Sequence, residues 1–386
     1  MHFIALFTLS TYLASIDTVA ATETIRVASF NASLYSDQTG GLIKRLEDGD
    51  APARKIAAVI QHQRPDLLLL NEFDYDAEGR AADVFQKRYL GKAQFGQKPI
   101  TYKYRYFAPV NTGVPSGFDL NGDGKTEGGN DAFGFGNHPG QYGMLVLSKF
   151  PMDKRAVRTF QKFLWKDMPQ ARIPLHADGS PWYSEAAWNA FRLSSKSHWD
   201  IPVATPMGTL HFLASHPTPP VFDGPEDRNG KRNADEIRFW GEYVWNRGND
   251  WIVDDLGLRG GLKDGARFAI AGDLNADPPD GDGIPGAITE LLENPRVLRM
   301  LTPRSEGAAQ AAEATGGANL KHRGSPRHDT GDFGPRVGNL RLDYVLPSVG
   351  WQVIGNGVFW PKSGEPGHDW LDATDHRMVW VDLRGD

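Results

Sequence analysis

The order strand, helix, strand near the beginning of the chain restricts its fold more than any other feature. Residues 24–30 (TIRVASF) alternate in the manner of a strand, and residues 53–63 carry apolar side chains at helical spacing after Pro52. Residues 66–70 (DLLLL) form a continuous apolar run, which is typical of a strand that is buried on both faces. These three segments predict a layered α/β fold.

The rest of the chain contains more predicted strands than helices, with no shared repeat period. This composition favours a sheet-rich α/β sandwich over a doubly wound parallel sheet. The further strands are predicted at 102–107, 142–147, 156–163, 198–204, 209–215, 267–271, 341–346 and 378–383, and the helices at 233–245 and 285–292.

Two long segments, residues 109–140 and 302–339, lack any periodicity. Structureless loops longer than about 12–15 residues are uncommon in compact domains unless they are functional or mobile. Predicted strands lie on both sides of each segment, so neither segment is a domain linker. We therefore predict one domain over residues 22–386.

The first residues resemble an export signal. An apolar run from Phe3 to Ala14 is followed by small residues at Val19, Ala20 and Ala21, which predicts a signal peptide over residues 1–21 and a secreted or periplasmic protein. No Lys or Arg precedes the run, so an N-terminal strand or helix of the domain is the alternative. The run is too short for a membrane span of about 20 residues, and we expect no stable membrane insertion.

Charge and cysteine content exclude several classes of protein. The formal net charge is −6, from 48 acidic and 42 basic residues, which argues against a basic nucleic-acid packaging protein. The sequence contains no cysteine, which excludes disulfide scaffolds, thiol nucleophiles and cysteine-ligated metal centres.

Polar residues recur where apolar runs end, the position at which a sheet presents side chains at its edge. The acids and amides among them are hard oxygen ligands that suit Mg²⁺, Mn²⁺ or Ca²⁺, and the histidines suit proton transfer and contacts with phosphate. This combination indicates phosphoryl-transfer chemistry. The residues are Asn31, Glu72, His216, Asp273, Asn275, Asp343, Asp375 and His376.

Seven segments, in this order, resemble the endonuclease/exonuclease/phosphatase superfamily, which includes deoxyribonucleases, abasic-site endonucleases, sphingomyelinases and inositol polyphosphate phosphatases. The resemblance implies a deoxyribonuclease-I-like four-layer α/β sandwich, in which helices flank two packed, mainly antiparallel β-sheets. The segments are SFN (29–31), LLNEFD (69–74), GMLVLSKFP (143–151), SHPTPP (215–220), AGDLNADP (271–278), LDYVLPS (342–348) and TDHRMVWVDL (374–383).

The resemblance also implies roles for these residues. Asn31 and Glu72 are implied metal ligands, with Asp375 beside the metal as a ligand or through water. Asp273 would orient and activate the attacking water, and Asn275 would position that water and a phosphate oxygen.

Histidines complete the implied site. His376, held by Asp343, would contact the phosphate across from the metal, and His216 would stabilise the pentacoordinate phosphorus or assist the leaving oxygen. The group that takes the proton stays open.

Two features lie outside the family core. Lys196 or His198 is a candidate for contact with the substrate phosphate, the alternative being a solvated strand end. Asp119, Asn121 and Asp123 match the first half of a calcium loop, although Asn130 stands where such a loop has Glu. The alternative for this segment is an Asx-rich turn without an ion.

We therefore predict a phosphoric ester hydrolase that depends on Mg²⁺ or Mn²⁺ and uses in-line attack by water, with Ca²⁺ in a structural or catalytic role. The expected enzyme is a secreted, monomeric phosphodiesterase or phosphatase that acts on small or lipid-derived phosphate esters. A secreted non-specific nuclease, with nucleic acid as substrate only, is the main alternative. A calcium-binding protein without catalysis is a remote one.

Overall fold

Two β-sheets form the centre of the structure, a computed structural model that describes residues 23–385. The expected signal peptide, residues 1–21, lies outside the described residues. The strands are β1 (Thr24–Leu34), β2 (Leu67–Phe73), β3 (Tyr104–Tyr106), β4 (Met144–Ser148), β5 (Arg158–Thr159), β6 (His198–Thr205), β7 (Gly208–Ser215), β8 (Phe268–Asp273), β9 (Gly331–Asp332), β10 (Asn339–Leu340), β11 (Asp343–Pro347), β12 (Trp351–Val358) and β13 (Val379–Gly385).

The first sheet has six strands in the order β12-β13-β1-β2-β4-β3, and the second has five in the order β11-β8-β7-β6-β5. β1 and β2 pair in parallel, as do β7 and β8, while the other neighbours pair antiparallel. β9 and β10 form a separate two-stranded ladder. Two mainly antiparallel sheets are thus confirmed.

Helices cover the outer faces of both sheets. The longest helix, α5, follows the loop after β7. Asp50 caps the N-terminus of α2, because its carboxylate accepts a hydrogen bond from the N–H of Ala53 at 2.7 Å. The helices are α1 (Gly41–Asp48), α2 (Ala51–Gln63), α3 (Arg80–Phe85), α4 (Glu185–Ala190), α5 (Arg228–Trp245), α6 (Ala287–Leu292), α7 (Glu306–Thr315) and α8 (Gly334–Val337).

Three apolar cores separate the four layers. One lies between α1–α3 and the first sheet, one between α5–α6 and the second sheet, and one between the two sheets. Both faces of β2 are apolar because both are buried: Leu68 and Leu70 face the helices, whereas Leu67 and Leu69 face the second sheet. Each buried leucine contributes about 1.5–3 kcal/mol to the free energy of unfolding. The predicted four-layer sandwich is confirmed.

The segment 302–339 is more ordered than its sequence suggested. Its Ala-rich part forms α7, which begins at Ser305, where the hydroxyl accepts a hydrogen bond from the N–H of Gly307 at 3.0 Å. Alanine has the highest helix propensity, and Ala308 and Ala312 are buried. The low-complexity composition concealed a helix with a small apolar face.

The strand expected over residues 156–163 shortens to β5. Beyond Thr159, the carboxylate of Asp255 accepts hydrogen bonds from the N–H groups of Gln161 and Lys162, at 3.0 and 2.8 Å. These N–H groups are therefore satisfied by a side chain, and the ladder ends.

Among residues 23–385, no helix combines the length and the apolar composition that crossing a membrane requires.

Candidate active site

The polar residues at the strand ends meet along one edge of the sandwich, between the two sheets. Asn31 and Glu72 come from β1 and β2 of the first sheet, and Asp273 and Asp343 come from β8 and β11 of the second. His216 follows β7 directly. This edge is where the strand-end pattern predicted a site.

The amide of Asn31 connects the two sheets at this edge. Its Nδ2 donates hydrogen bonds to Oε1 of Glu72 and to Oδ2 of Asp273, both at 3.0 Å. The Asn31 side chain is fully buried. Two carboxylates from different sheets therefore share one amide group.

His376 lies between two carboxylates. Its Nδ1 is 2.9 Å from Oδ2 of Asp343, and its Nε2 is 3.5 Å from Oδ2 of Asp273. Burial lowers the pKa of His376, but Asp343 and Asp273 outweigh burial and raise that pKa to about 10. The imidazole is thus a cation at neutral pH, and Asp343 fixes its orientation.

His216 lies close to the same carboxylate, that of Asp273, but differs from His376 in its charge state. Its Nε2 lies 3.4 Å from Oδ2 of Asp273. Burial, reinforced by Lys196, lowers the pKa of His216 to about 4. Burial raises the pKa of Asp273, but His376, His216 and Asn31 together lower it below its ordinary value. A neutral imidazole and a charged one therefore face an ionised carboxylate.

Glu72 is held in an unusual backbone conformation. Its φ is 56°, in the left-handed region that non-glycine residues rarely adopt. Burial raises the pKa of its carboxyl group, and hydrogen bonding from Asn31 and the charges of His376 and Lys196 offset that only in part. A strained, desolvated carboxylate beside a second one is the arrangement that a hard divalent cation stabilises.

The residues fit a divalent ion on the Glu72 side of the site. Asp375 lies beside the site too, because its Oδ1 is 3.9 Å from Nε2 of His376. The Asp375 side chain is 54% exposed and can reach an ion or a water molecule.

A second group of donor atoms has metal-like spacing: oxygen or nitrogen atoms of Asp273, Asp343 and His376 lie within 4.8 Å of one another. Within this group, Nδ1 of His376 and Oδ2 of Asp343 lie at hydrogen-bonding distance, 2.9 Å.

Asn275 and Gly272 shape the loop around Asp273. Asn275 has a φ of 52°, and its N–H donates to Oδ1 of Asp273 at 2.9 Å. Its Nδ2 donates to the carbonyl of Pro217 at 3.0 Å, which leaves the amide oxygen for other contacts. A Cβ at Gly272 would lie 2.2 Å from the carbonyl oxygen of Ser215, so only glycine permits β7 and β8 to approach this closely.

Sequence reasoning missed Asn71. Its Oδ1 accepts a hydrogen bond from the N–H of Asp273 at 3.0 Å, and its Nδ2 donates to the carbonyl of Ser215 at 3.2 Å. One fully buried amide thus connects the first sheet to two strands of the second. A polar letter inside an otherwise apolar run was the available signal.

The structure separates the two candidates for phosphate contact. The Lys196 side chain is buried, and burial lowers its pKa, whereas the charges of Glu236, Glu72 and Asp273 oppose this effect. His198 instead contacts α5: its Nε2 lies 2.9 Å from the carbonyl of Glu236 and its ring packs on Trp240. Burial lowers the pKa of His198 to about 4.

The segment around Asp119 forms a turn closed by its own backbone. The carboxylate of Asp119 accepts hydrogen bonds from the N–H groups of Gly122 and Gly124, at 2.7 and 2.8 Å. Asn121 donates to Asp123 at 3.2 Å. Across the described part of the chain, three acidic or histidine donors come together only at Asp273, Asp343 and His376. A calcium ion at this turn stays a prediction.

Comparisons with known proteins identify the family and the fold of this chain. A sequence model described as the Endonuclease/Exonuclease/phosphatase family matches residues 28–376. A crystal structure of an endonuclease/exonuclease/phosphatase from Beutenbergia cavernae DSM 12333 is similar with a TM-score of 0.51 and 18% identity, over 94% of this chain and 72% of that chain.

Two further solved structures are similar with lower scores. Sphingomyelinase C from Streptomyces griseocarneus has a TM-score of 0.48 and 16% identity, over 94% of this chain and 99% of that one. A beta toxin from Staphylococcus aureus has a TM-score of 0.47 and 15% identity, over 92% and 99%. A search of curated protein sequences returned no match.

Proposed function

Because the chain belongs to the Endonuclease/Exonuclease/phosphatase family, whose members are divalent-metal-dependent phosphoester hydrolases, we propose that it hydrolyses small or lipid-derived phosphate esters by in-line attack of water. The observation that carries this proposal is the convergence of two histidines on one carboxylate. Nε2 of His216 and Nε2 of His376 lie 3.4 and 3.5 Å from the same oxygen of Asp273.

Asp273 orients the attacking water. Its ionised carboxylate accepts a hydrogen bond from the water and turns the water oxygen towards phosphorus, while Asn275 fixes the loop and offers its amide oxygen. In the hydrolysis the water oxygen forms a new bond to phosphorus as the ester oxygen leaves. Positioning of this kind accounts for a large part of enzymatic rate enhancement.

The two histidines have different roles at the phosphate because their charge states differ. His376, a cation held by Asp343, donates a hydrogen bond to a phosphate oxygen and stabilises the negative charge that develops there. His216, neutral at pH 7, contacts the reacting phosphate as a hydrogen-bonding group without adding charge.

Asn31, Glu72 and Asp375 are the proposed ligands of a divalent ion. Mg²⁺ or Mn²⁺ held by these oxygens would neutralise charge on the phosphate and on the leaving oxygen. Ca²⁺ is the alternative ion, since it accepts the same ligand types.

Lys196 is the proposed second cation at the phosphate. It is buried beside the carboxylates Glu72 and Asp273, and a buried ammonium group attracts an anion more strongly than an exposed one.

The wall beside Glu72 favours a small substrate over a nucleic acid. This wall is aromatic: the rings of Tyr35 and Tyr142 lie 4.5 Å apart, and the negative charge of Glu72 helps to raise the pKa of both. A nuclease gains its affinity from cations that follow the phosphate backbone, and this wall offers phenol rings instead.

A parallel assay separates the substrate classes. The purified protein is given phosphodiesters, phosphomonoesters, phospholipid head groups, DNA and RNA, each with Mg²⁺, Mn²⁺ or Ca²⁺. We expect the highest kcat/KM for a small or lipid-derived ester, and a loss of about 10³-fold or more in H376A and D273A. A preference for DNA or RNA would favour the nuclease alternative, and no hydrolysis of any ester would refute the function.

Export is proposed on the sequence of residues 1–21 alone. N-terminal sequencing of protein from the medium or periplasm would test it, and we expect the mature chain to begin close to residue 22.

A further inference from the structure

Glu236, on α5, has a fully buried side chain that contacts two separate segments of the active site. Its Oε1 accepts a hydrogen bond from the N–H of Ser195 at 2.7 Å, and its Oε2 accepts one from the N–H of Thr218 at 2.7 Å. One carboxylate therefore uses one oxygen for each segment.

The two segments carry the residues that face the phosphate. Lys196 follows Ser195 directly, and His216 lies two residues before Thr218. The segments also lie against each other, because the hydroxyl of Ser195 is 3.2 Å from the carbonyl oxygen of His216 and equally far from Oε1 of Glu236, and can donate to either. The position of both side chains thus depends on the carboxylate behind them.

Neighbouring residues of α5 contact the same region through other groups. Arg232 donates to the carbonyls of Leu193 and Phe133, and Asn233 donates to those of Thr218 and Leu274. These two side chains hold carbonyl groups, whereas Glu236 accepts from N–H groups.

The ionised form of Glu236 is the one that satisfies both segments. A carboxylate has two acceptor oxygens, whereas an amide has one acceptor and one donor, and that donor would face a backbone N–H. Burial lowers the pKa of Lys196, and Glu236 is the strongest of the three carboxylates that oppose this effect. Burying a carboxylate is costly unless its oxygens are hydrogen-bonded, and here both oxygens accept from the N–H groups of the two segments.

We infer that Glu236 is a positioning residue that sets Lys196 and His216 at the reacting phosphate through the N–H groups of Ser195 and Thr218. This inference rests on the function proposed above. Glu236 itself touches neither substrate nor metal.

A double-mutant cycle tests the inference. E236Q, K196M, H216A and the doubles E236Q/K196M and E236Q/H216A are assayed with bis(p-nitrophenyl) phosphate and Mn²⁺. We expect E236Q alone to lower kcat/KM by about 30-fold or more, and to lower it by a clearly smaller factor in either double, because residues that act as a unit are not additive. An equal loss in all three backgrounds would show a general packing role and overturn the inference.

Two further variants complete the design. Glu242 lies on the same helix, away from the site. E242Q controls for the loss of a charge on α5 and should keep kcat/KM within about twofold of the wild type. If E236Q does not fold, E236D replaces it, since it keeps the charge and both acceptors on a shorter side chain. We expect the same non-additive pattern with a smaller first loss.

Hydrogen exchange separates failure of this inference from failure of the proposed function. If the wild type hydrolyses no ester, the function is refuted, but the amides of Ser195 and Thr218 still report on Glu236. We expect at least one of them, the N–H that faces the new NH₂ group, to exchange at least about tenfold faster in E236Q than in the wild type. Unchanged exchange at both amides would overturn the inference whatever the activity.

Discussion

Nδ1 of His376 lies 2.9 Å from Oδ2 of Asp343, and both side chains are buried. D343N keeps an acceptor oxygen for this contact but removes the charge that raises the pKa of His376. We expect kcat to fall about 10²-fold at pH 8 and to recover in part as the pH is lowered, because the imidazole is then protonated again. A pH–rate profile, with NMR titration of His376, checks this.

D382N is the matched control for that variant. Asp382 forms an ion pair with the partly exposed Arg26, an interaction of a kind that is worth about 0–1 kcal/mol. Its kcat should stay within about twofold of the wild type. If D343N kept the wild-type pH profile, the role of Asp343 would have to be abandoned.

We expect Glu72 to be required for metal binding and not to stabilise the metal-free protein. In E72Q the half-buried group no longer carries a charge, so without divalent ions we expect a free energy of unfolding at least equal to that of the wild type. Mg²⁺ should raise the Tm of the wild type and leave that of E72Q unchanged, while activity falls about 10³-fold. Thermal unfolding with and without Mg²⁺ measures both, and an equal rise in Tm in E72Q would exclude Glu72 as a ligand.

Asn71 should matter more than its neutral side chain suggests. N71A removes hydrogen bonds at 3.0 and 3.2 Å and leaves the buried N–H of Asp273 without its partner. We expect a loss of about 2–4 kcal/mol in the free energy of unfolding, together with reduced activity. N356A, which removes an exposed contact to the carbonyl of Leu301, should cost less than about 1 kcal/mol in the same urea titration. Equal losses would argue against the role of Asn71 between the sheets.

Acid should destabilise the fold through two buried histidines. Burial lowers the pKa of His198 and of His216 from 6.5 to about 4, so the unfolded state binds more protons between these values. The stability that this difference preserves is present above pH 6.5 and is lost as the pH falls towards 4, by about 3 kcal/mol per residue at most.

H198Q isolates one of these histidines. The new amide can still donate to the carbonyl of Glu236, but it does not titrate. Urea titrations at pH 7 and pH 4 should show a loss of stability smaller by about 2–3 kcal/mol than in the wild type. If H198Q lost as much stability as the wild type between pH 7 and pH 4, protonation of His198 would not contribute to the acid sensitivity of the fold.

The strand-end rule located much of the site because it depends only on where apolar runs stop. Asn31, Glu72 and Asp273 each follow or end such a run, and the sheets bring their side chains into contact. The same reasoning did not reveal that His216 is neutral and His376 charged. That difference arises from burial and from Asp343, which precedes His376 by 33 residues.

Residues that support the site from behind left little trace in the sequence. Glu236 lies in an amphipathic helix, where an acid is ordinarily solvated, and only the packing of α5 shows that it is buried. Asn71 lies inside a run that otherwise reads as core. Periodicity identifies the face of an element, but not the partner that this face meets.

The hydrogen bonds that connect Asp273 to Asn31 and to Asn71 have a consequence for the recovery of activity on folding. Because the reacting groups are contributed half by one sheet and half by the other, a chain with a single completed sheet has no catalytic centre. Return of activity during refolding would therefore report that the two sheets have docked.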